Sequence, residues 1–221
     1  MEHFEITYEL LWALFRPNAL LYTTCPGSEQ PRCLIFDSGE EKWISPGEKQ
    51  FELQCRYFDY NGKSFGEVTT FLYIPRFYGV KKIASLNIFP LQYHESKTEI
   101  MRNLIERGRR FTTLMGSHHC NYKGLAYIQQ AAGPFQFTVE GRIMIDAASF
   151  KEINPNYGSQ CVAKKSSDAI VYIFTDQESD MKQNQKGVSS KVLVPSEMRD
   201  EELLLCSPTV LGFSLSKRLW G

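Results

Sequence analysis

Three side chains able to bind metal or move protons stand side by side at His118-His119-Cys120. Adjacent residues seldom converge on one ion, and a zinc site draws ligands at spacings of about two to four with a second cluster elsewhere. Cys25 and Cys33 are too far apart to supply that cluster. A thiol–imidazole pair of Cys120 with either histidine would make a nucleophile and its base, but sequence neighbours rarely have pairing geometry. The run reads as a polar loop after Gly116. Gly62-Lys63-Ser64 matches the last three letters of a P-loop, whose glycine-rich turn wraps phosphates with backbone amides. The position five before Gly62 is Tyr57, and the tripeptide falls between two strand-like runs, so a hairpin is expected there. Gly-x-Ser-x-Gly is absent, and Asp200-Glu201-Glu202 precedes its leucines, the wrong order for a magnesium-holding strand end.

Arginines 102, 107, 109 and 110 form the one local concentration of charge, and Glu99 and Glu106 are spaced to pair with two of them along a helix. The chemistry-bearing residues therefore suggest contact rather than catalysis. The candidate interaction surface is Arg102, Arg109, Arg110, His118, His119 and Lys123. No catalytic, metal-binding or cofactor-binding residue is assigned, and no cofactor is expected.

The elements that must carry these residues follow from pattern. Residues 5–15 place Leu10, Leu11, Leu14 and Phe15 at helical spacing, and Pro17 stops the helix. Residues 20–24 and 32–36 read as short strands, with a polar loop over 37–42. Residues 51–57 alternate, Asn61-Gly62 follows, and 67–74 return before Pro75, which predicts a β-hairpin with a type I′ turn. An extended apolar stretch over 83–93 is interrupted by Pro90. Ser96-Lys97-Thr98-Glu99 has the capping-box pattern, Ile100, Leu104, Phe111 and Leu114 recur near every 3.6 residues, and Gly116 suits the C′ position. Strands are expected at 122–129, 135–140 and 142–146, with a turn at Ala132-Gly133-Pro134 between the first two, and a strand-like core segment at 203–215.

The fold class expected is α+β, a mixed, largely antiparallel β-sheet with one long capped helix and a short N-terminal helix. Its core should include Leu14, Leu53, Phe71, Ile74, Leu104, Phe111, Leu114, Ile145 and Val210. Residues 1–153 form the main domain, 154–191 a polar linker or excursion broken by an apolar island at 169–174, and 192–221 an apolar segment that packs back.

Composition narrows the class further. At 221 residues and 43% hydrophobic the chain can bury a real core. Its 25 basic and 25 acidic side chains cancel, so no global field favours nucleic acid or anionic lipid, and no nucleic-acid partner is expected. Six cysteines without a CxxC pair, after an acidic start, point to free thiols in an intracellular, cytoplasmic setting. The longest apolar run is far below the roughly 20 residues of a membrane span.

Several segments, taken in order, resemble a fungal domain of unknown function that lies ahead of the core in AAA-type ATPases. They are 11–17 with Trp12 and Pro17, the aromatic 56–67, Phe89-Pro90-Leu91-Gln92-Tyr93-His94, 104–111, Gly116-Ser117-His118-His119, Tyr122-Lys123-Gly124, 142–146 and 203–215. The resemblance runs from about Leu11 to Leu219, except for the polar excursion. In that family the counterpart of 203–220 leads on into an ATPase core with Walker motifs, which this chain lacks. It implies a non-catalytic recognition or regulatory domain with a protein partner, standing alone or truncated before the motor. Two alternatives remain open: a gene-model fragment without independent function, and an accessory enzyme with a site near His118 and His119.

Overall fold

The computed structural model describes residues 4–130, 133–154 and 197–220. The expected excursion, its island at 169–174 and Cys161 lie outside the described residues, apart from Asn154, and so does Ala132 of the expected turn.

The N-terminal segment is not a helix over 5–15. Strand β1 (Glu5–Thr7) comes first, then a 3₁₀ turn over Tyr8–Leu10 and a single α-helical turn, α1 (Leu11–Leu14). The strand exists because its partner is far away in sequence: β1 pairs antiparallel with β6 (Val80–Lys82), a contact that local periodicity cannot register. Tyr8, Leu11 and Phe15 still turn inward, whereas Leu10 and Trp12 are exposed.

A five-stranded antiparallel sheet follows, ordered β5-β4-β3-β2-β7 from β2 (Leu20–Thr24), β3 (Pro31–Ser45), β4 (Glu48–Tyr60), β5 (Phe65–Pro75) and β7 (Ile88–Pro90). The expected polar loop at 37–42 is instead a continuation of β3, with register shifts at Phe36/Ser38 and Trp43/Ser45. Its outer half is exposed along every residue, so alternation, which reports one buried face, is absent there. Pro46-Gly47 turns the chain into β4, with Gly47 at φ +89°.

The second hairpin stands as expected, but its tip differs. Tyr60 pairs with Phe65, leaving a four-residue loop in which only Gly62 takes positive φ. Asn61 Oδ1 accepts the amides of Lys63 and Ser64 at 2.9 and 2.8 Å, an Asx-type turn in place of type I′.

Helix α2 (Lys97–Thr113) presents Leu104, Gly108 and Phe111 to the interior. Its start does not use the capping box: the Ser96 side chain makes no cap bond, and the Ser96 amide donates to His94 Nδ1 at 3.1 Å. Leu114 is the C-cap, so Gly116, at φ +91°, falls one residue beyond the expected C′ position.

A second sheet, ordered β11-β10-β9-β8, comprises β8 (His118–Gln130), β9 (Gly133–Ile145), β10 (Gly212–Ser214) and β11 (Leu219–Trp220). The two strands expected over 135–146 are one, passing through Gly141 at φ +125°. After β9 comes α3 (Ala147–Ile153), capped by Asp146, whose Oδ1 accepts the Ser149 amide at 2.9 Å.

The expected strand over 203–215 begins instead as a helix, α4 (Asp200–Leu203), whose first turn holds Asp200, Glu201 and Glu202. Acids at that end complement the helix dipole. Leu204 and Leu205 then turn inward, Cys206 forms an isolated parallel bridge with Phe58, and β10 joins β9.

Every other strand pairing described is antiparallel, and the fold is α+β. One apolar cluster lies under the first sheet around Leu21, Leu34, Leu53, Val68 and Ile88. The other joins that sheet to α2 and the C-terminal segment through Cys33, Phe58, Phe65, Leu91, Leu104, Phe111 and 204–206. Leu53, Ile74, Leu104, Phe111 and Ile145 are buried as expected. Leu14, Phe71, Leu114 and Val210 are only half-buried.

Candidate functional site

A cleft of about 490 Å³ lies between α2 and the second sheet. One wall is α2, through Arg107, Arg110, Phe111 and Leu114. The opposite wall is the β8–β9 hairpin, through Cys120, Leu125, Ala126, Tyr127, Phe137, Val139, Ile143 and Ile145. The segment 207–212 and the turn holding Ser28 and Gln30 complete it. That turn is locked to the hairpin, because Gln136 Nε2 donates to the Gly27 carbonyl at 2.9 Å. The lining is apolar apart from a few hydroxyls, one amide and the two arginines.

Arg107 is the unusual member. Its Nη1 donates to the Pro31 carbonyl at 2.6 Å, whereas Nε and Nη2 are buried without a partner among the described residues. Burial pulls its pKa below the usual arginine value, against the thiols of Cys33, Cys206 and Cys25 and with the help of Arg32. Arg32 is itself nine-tenths buried, has an unpartnered Nε and lies 5.5 Å over the Tyr57 ring. Buried thiols thus lie within electrostatic reach of Arg107, and the Asp59 carboxyl within reach of Arg32.

Those thiols differ in state. Burial pushes Cys33 and Cys206 up to about 12, so both stay neutral. Burial also acts to raise Cys25, but the Ser28 hydroxyl and the backbone of Ser28 and Gly27 beside it outweigh that and lower the thiol. All five described cysteines are unpaired.

The residues singled out from sequence do not converge on one site. His118 and His119 lie in β8, not in a loop, and successive strand residues point to opposite faces. His118 Nε2–H donates to the Met115 carbonyl at 2.7 Å, while Cys120 lines the cleft. Lys123 donates to Glu140 Oε1 across the hairpin at 3.0 Å. On α2, Arg109 pairs with Asp200 of α4 at 2.7 Å and Arg110 with Glu106. Glu106 therefore takes an arginine as expected, but Asp200 occupies the place foreseen for Glu99. Arg102 stands exposed without an ion pair among the described residues. Arg107, the arginine that matters to the cleft, was legible only as one of four.

Sequence reasoning also missed an exposed aromatic end on the first sheet. Trp43 is 64% exposed and Tyr78 83%, with Ile44 and Val80 beside them in sequence also exposed. Lys49 Nζ lies 4.4 Å over the Trp43 ring, the Lys49 carbonyl accepts the Arg76 amide at 3.1 Å, and the Arg76 guanidinium lies 5.2 Å over Tyr78. Two aromatic rings and two cations thereby form one connected strip.

No group of three or more His, Cys, Asp or Glu among the described residues is placed to hold a metal ion. No described helix is long and apolar enough to cross a membrane. Residues 1–95 match a family model described as a domain of unknown function, DUF7025. No curated protein and no solved structure matches the chain.

Proposed function

We propose that this chain is a non-catalytic recognition domain of the kind that precedes the core of AAA-type ATPases, and that it engages a protein partner through the aromatic strip. The observation that carries the reading is the exposure of Trp43 and Tyr78 on a strip stiffened by Lys49 and Arg76. Large apolar side chains exposed together mark association surfaces, and aromatic residues and arginine are enriched in them.

The ordered segments resembling the AAA-associated domain supply the context. The tripeptide closest to a phosphate loop has its amides committed elsewhere: those of Lys63 and Ser64 donate to Asn61. Gly62 also packs so closely on α3 that a Cβ there would meet the Ala148 backbone. A phosphate has no place at that tip.

The test compares the full chain with a Trp43→Ser/Tyr78→Ser variant as baits in a cell lysate. The expected result is a partner retained by the parent and weakened at least about tenfold in the variant, as for interfacial hot spots, with Tm unchanged. Identical captured proteins would sink the assignment of the strip. Micromolar binding of magnesium ATP by calorimetry would sink the non-catalytic reading.

A further inference from the structure

We infer that the outer edge of β8 takes up an extended peptide of a partner protein, which adds to the second sheet as an antiparallel strand and sends every other side chain into the adjoining cleft. The edge shares no residue with the aromatic strip, and the inference stands independently of the function proposed above.

Hydrogen-bond alternation fixes which backbone groups of β8 are already in use. In an antiparallel ladder each residue directs its amide and its carbonyl to one neighbouring strand, and successive residues alternate between the two sides. The Asp146 amide donates to the Leu211 carbonyl and the Leu215 amide to the Arg142 carbonyl, both at 3.2 Å, so the even-numbered residues of β9 face β10. The odd-numbered residues of β9 therefore serve β8, and the register sets them opposite its even-numbered residues, Ile143 opposite Cys120 and Val139 opposite Gly124. His119, Asn121, Lys123 and Leu125 turn their backbone groups the other way, to an edge that no further strand of the sheet covers. All four are exposed. The Leu125 carbonyl accepts the Tyr122 hydroxyl at 2.6 Å, whereas the backbone groups of His119, Asn121 and Lys123 meet no outward partner among the described residues.

Sheet edges are ordinarily closed to addition by charge, proline or shortness. Strand β8 is 13 residues long and holds no proline, and Lys123, its one lysine, arginine or acid, is drawn inward across the ladder to Glu140 at 3.0 Å. The other long edge, β5, is less open: it ends in Pro75, which has no amide, and its Tyr73 carbonyl accepts from Asn87 Nδ2 at 2.8 Å.

The two faces of the hairpin set the chemistry of the occupant. By alternation Cys120 and Ala126 share a face with Phe137, Val139 and Ile143, and all five line the apolar cleft. Asn121, Lys123, Glu140 and Arg142 share the opposite face. A strand added to β8 thus places apolar side chains in the cleft at every second position and polar ones between them. The row of donors and acceptors along the edge matches another extended backbone, which a small apolar ligand lacks. In such additions the main-chain bonds supply affinity and pockets for alternate side chains supply selectivity. Antiparallel addition continues the direction of every pairing in this sheet. Because directly opposite residues share a face, the amides that bond to the edge then belong to the polar residues of the peptide.

The experiment is fluorescence anisotropy of a labelled peptide titrated with the full chain, the probe being alternating threonine and valine flanked by lysines. Saturable one-to-one binding is expected. Methylating the backbone nitrogens of the threonines should weaken it at least about tenfold through loss of edge hydrogen bonds, whereas methylating those of the valines should change it by less than about threefold. Asn121→Pro removes one outward amide and leaves the ladder to β9 in place, and it should weaken the unmodified peptide as well. Ala126→Trp, which fills the cleft, should erase the advantage of the alternating peptide over one with its threonines and valines in separate blocks.

Absence of saturable binding overturns the proposal, as does a loss that is not confined to the threonine-methylated peptide; both are read on the parent chain, whether or not a variant folds. Undiminished binding by a folded Asn121→Pro chain overturns it too. If the parent binds no peptide but an Ile170→Ser/Ile173→Ser chain does, the edge belongs to the chain's own residues and the proposal fails. It fails equally if the parent dimerises and Asn121→Pro abolishes the dimer, since the occupant is then a second copy.

Discussion

Burial raises the Asp59 carboxyl to about 7, against the Tyr60 amide that donates to Oδ1 at 2.8 Å and the charges of Lys151 and Arg32. An unfolded aspartate titrates near 3.9. Between those values the folded chain holds a proton that the unfolded chain has lost, so stability must fall as pH rises through that window and level off above about 7. The slope is at most roughly 1.4 kcal/mol per pH unit. Asp146 has the opposite sign: the Ser149 amide lowers its carboxyl, so its contribution is lost only as pH drops below the ordinary carboxylate range. Urea midpoints at pH 5 and pH 8 check the prediction: the parent should be less stable at pH 8, and Asp59→Asn should remove most of the difference. An unchanged difference in the variant would place the sensitivity elsewhere. No sequence signal could have marked Asp59, because its burial is a property of the folded chain and the charges that act on it, Arg32 of β3 and Lys151 of α3, are remote along the chain. The two histidines and Lys123 were visible by type, yet type says nothing of the strand geometry that parts them.

Helix α2 depends on a close approach that its own sequence disguises. Gly108 sits mid-helix, where glycine costs about 1 kcal/mol relative to alanine, so a propensity argument alone recommends Gly108→Ala. A Cβ at that position would fall on the Leu203 carbonyl, which is backbone at the C-terminal end of α4 and cannot rotate away. The steric term should win. Gly108→Ala is expected to lower stability and to release α4, seen as faster amide exchange at Leu204 and Leu205, whose amides bond to Asp200 and Glu202. A more stable variant with unchanged exchange would show that the two helices can part without loss. Elements that bury one regular face were legible in the sequence, as α2 and the β4–β5 hairpin demonstrate. Elements made by distant pairing were not: β1 needs β6, and the outer half of β3 needs β4 while burying neither face. The leucines at 203–205 are equally apolar as helix or strand, and the acids before them settle the matter.

At the scale of the molecule the two apolar clusters divide unevenly along the chain. Every buried member of the first, from Tyr8 to Phe89, lies within residues 1–95, the stretch matched by the family model. The second draws Cys33, Phe58, Phe65 and Leu91 from that stretch and the rest from α2 and residues 204–206. Strands β3, β4 and β5 therefore carry side chains of both clusters on one hydrogen-bonded sheet, and Phe58 and Cys206 tie the C-terminal segment to it through the Phe58 amide, which donates to the Leu205 carbonyl at 3.0 Å. Melting either cluster exposes the sheet that supports the other, so these two cores should unfold together. In a Trp220→Phe background, tryptophan fluorescence reports Trp12 and Trp43 near the first cluster's elements, and amide exchange reports Leu204–Cys206 in the second. Coincident urea midpoints for the two probes are expected, with a single midpoint by far-ultraviolet circular dichroism. Removing residues 96–221 should leave Phe58, Phe65 and Leu91 uncovered, and the 1–95 piece should then melt below the parent or aggregate. Separate midpoints, or a 1–95 piece as stable as the whole, would mean that the matched stretch is an autonomous unit and that α2 and the second sheet are built upon it rather than into it.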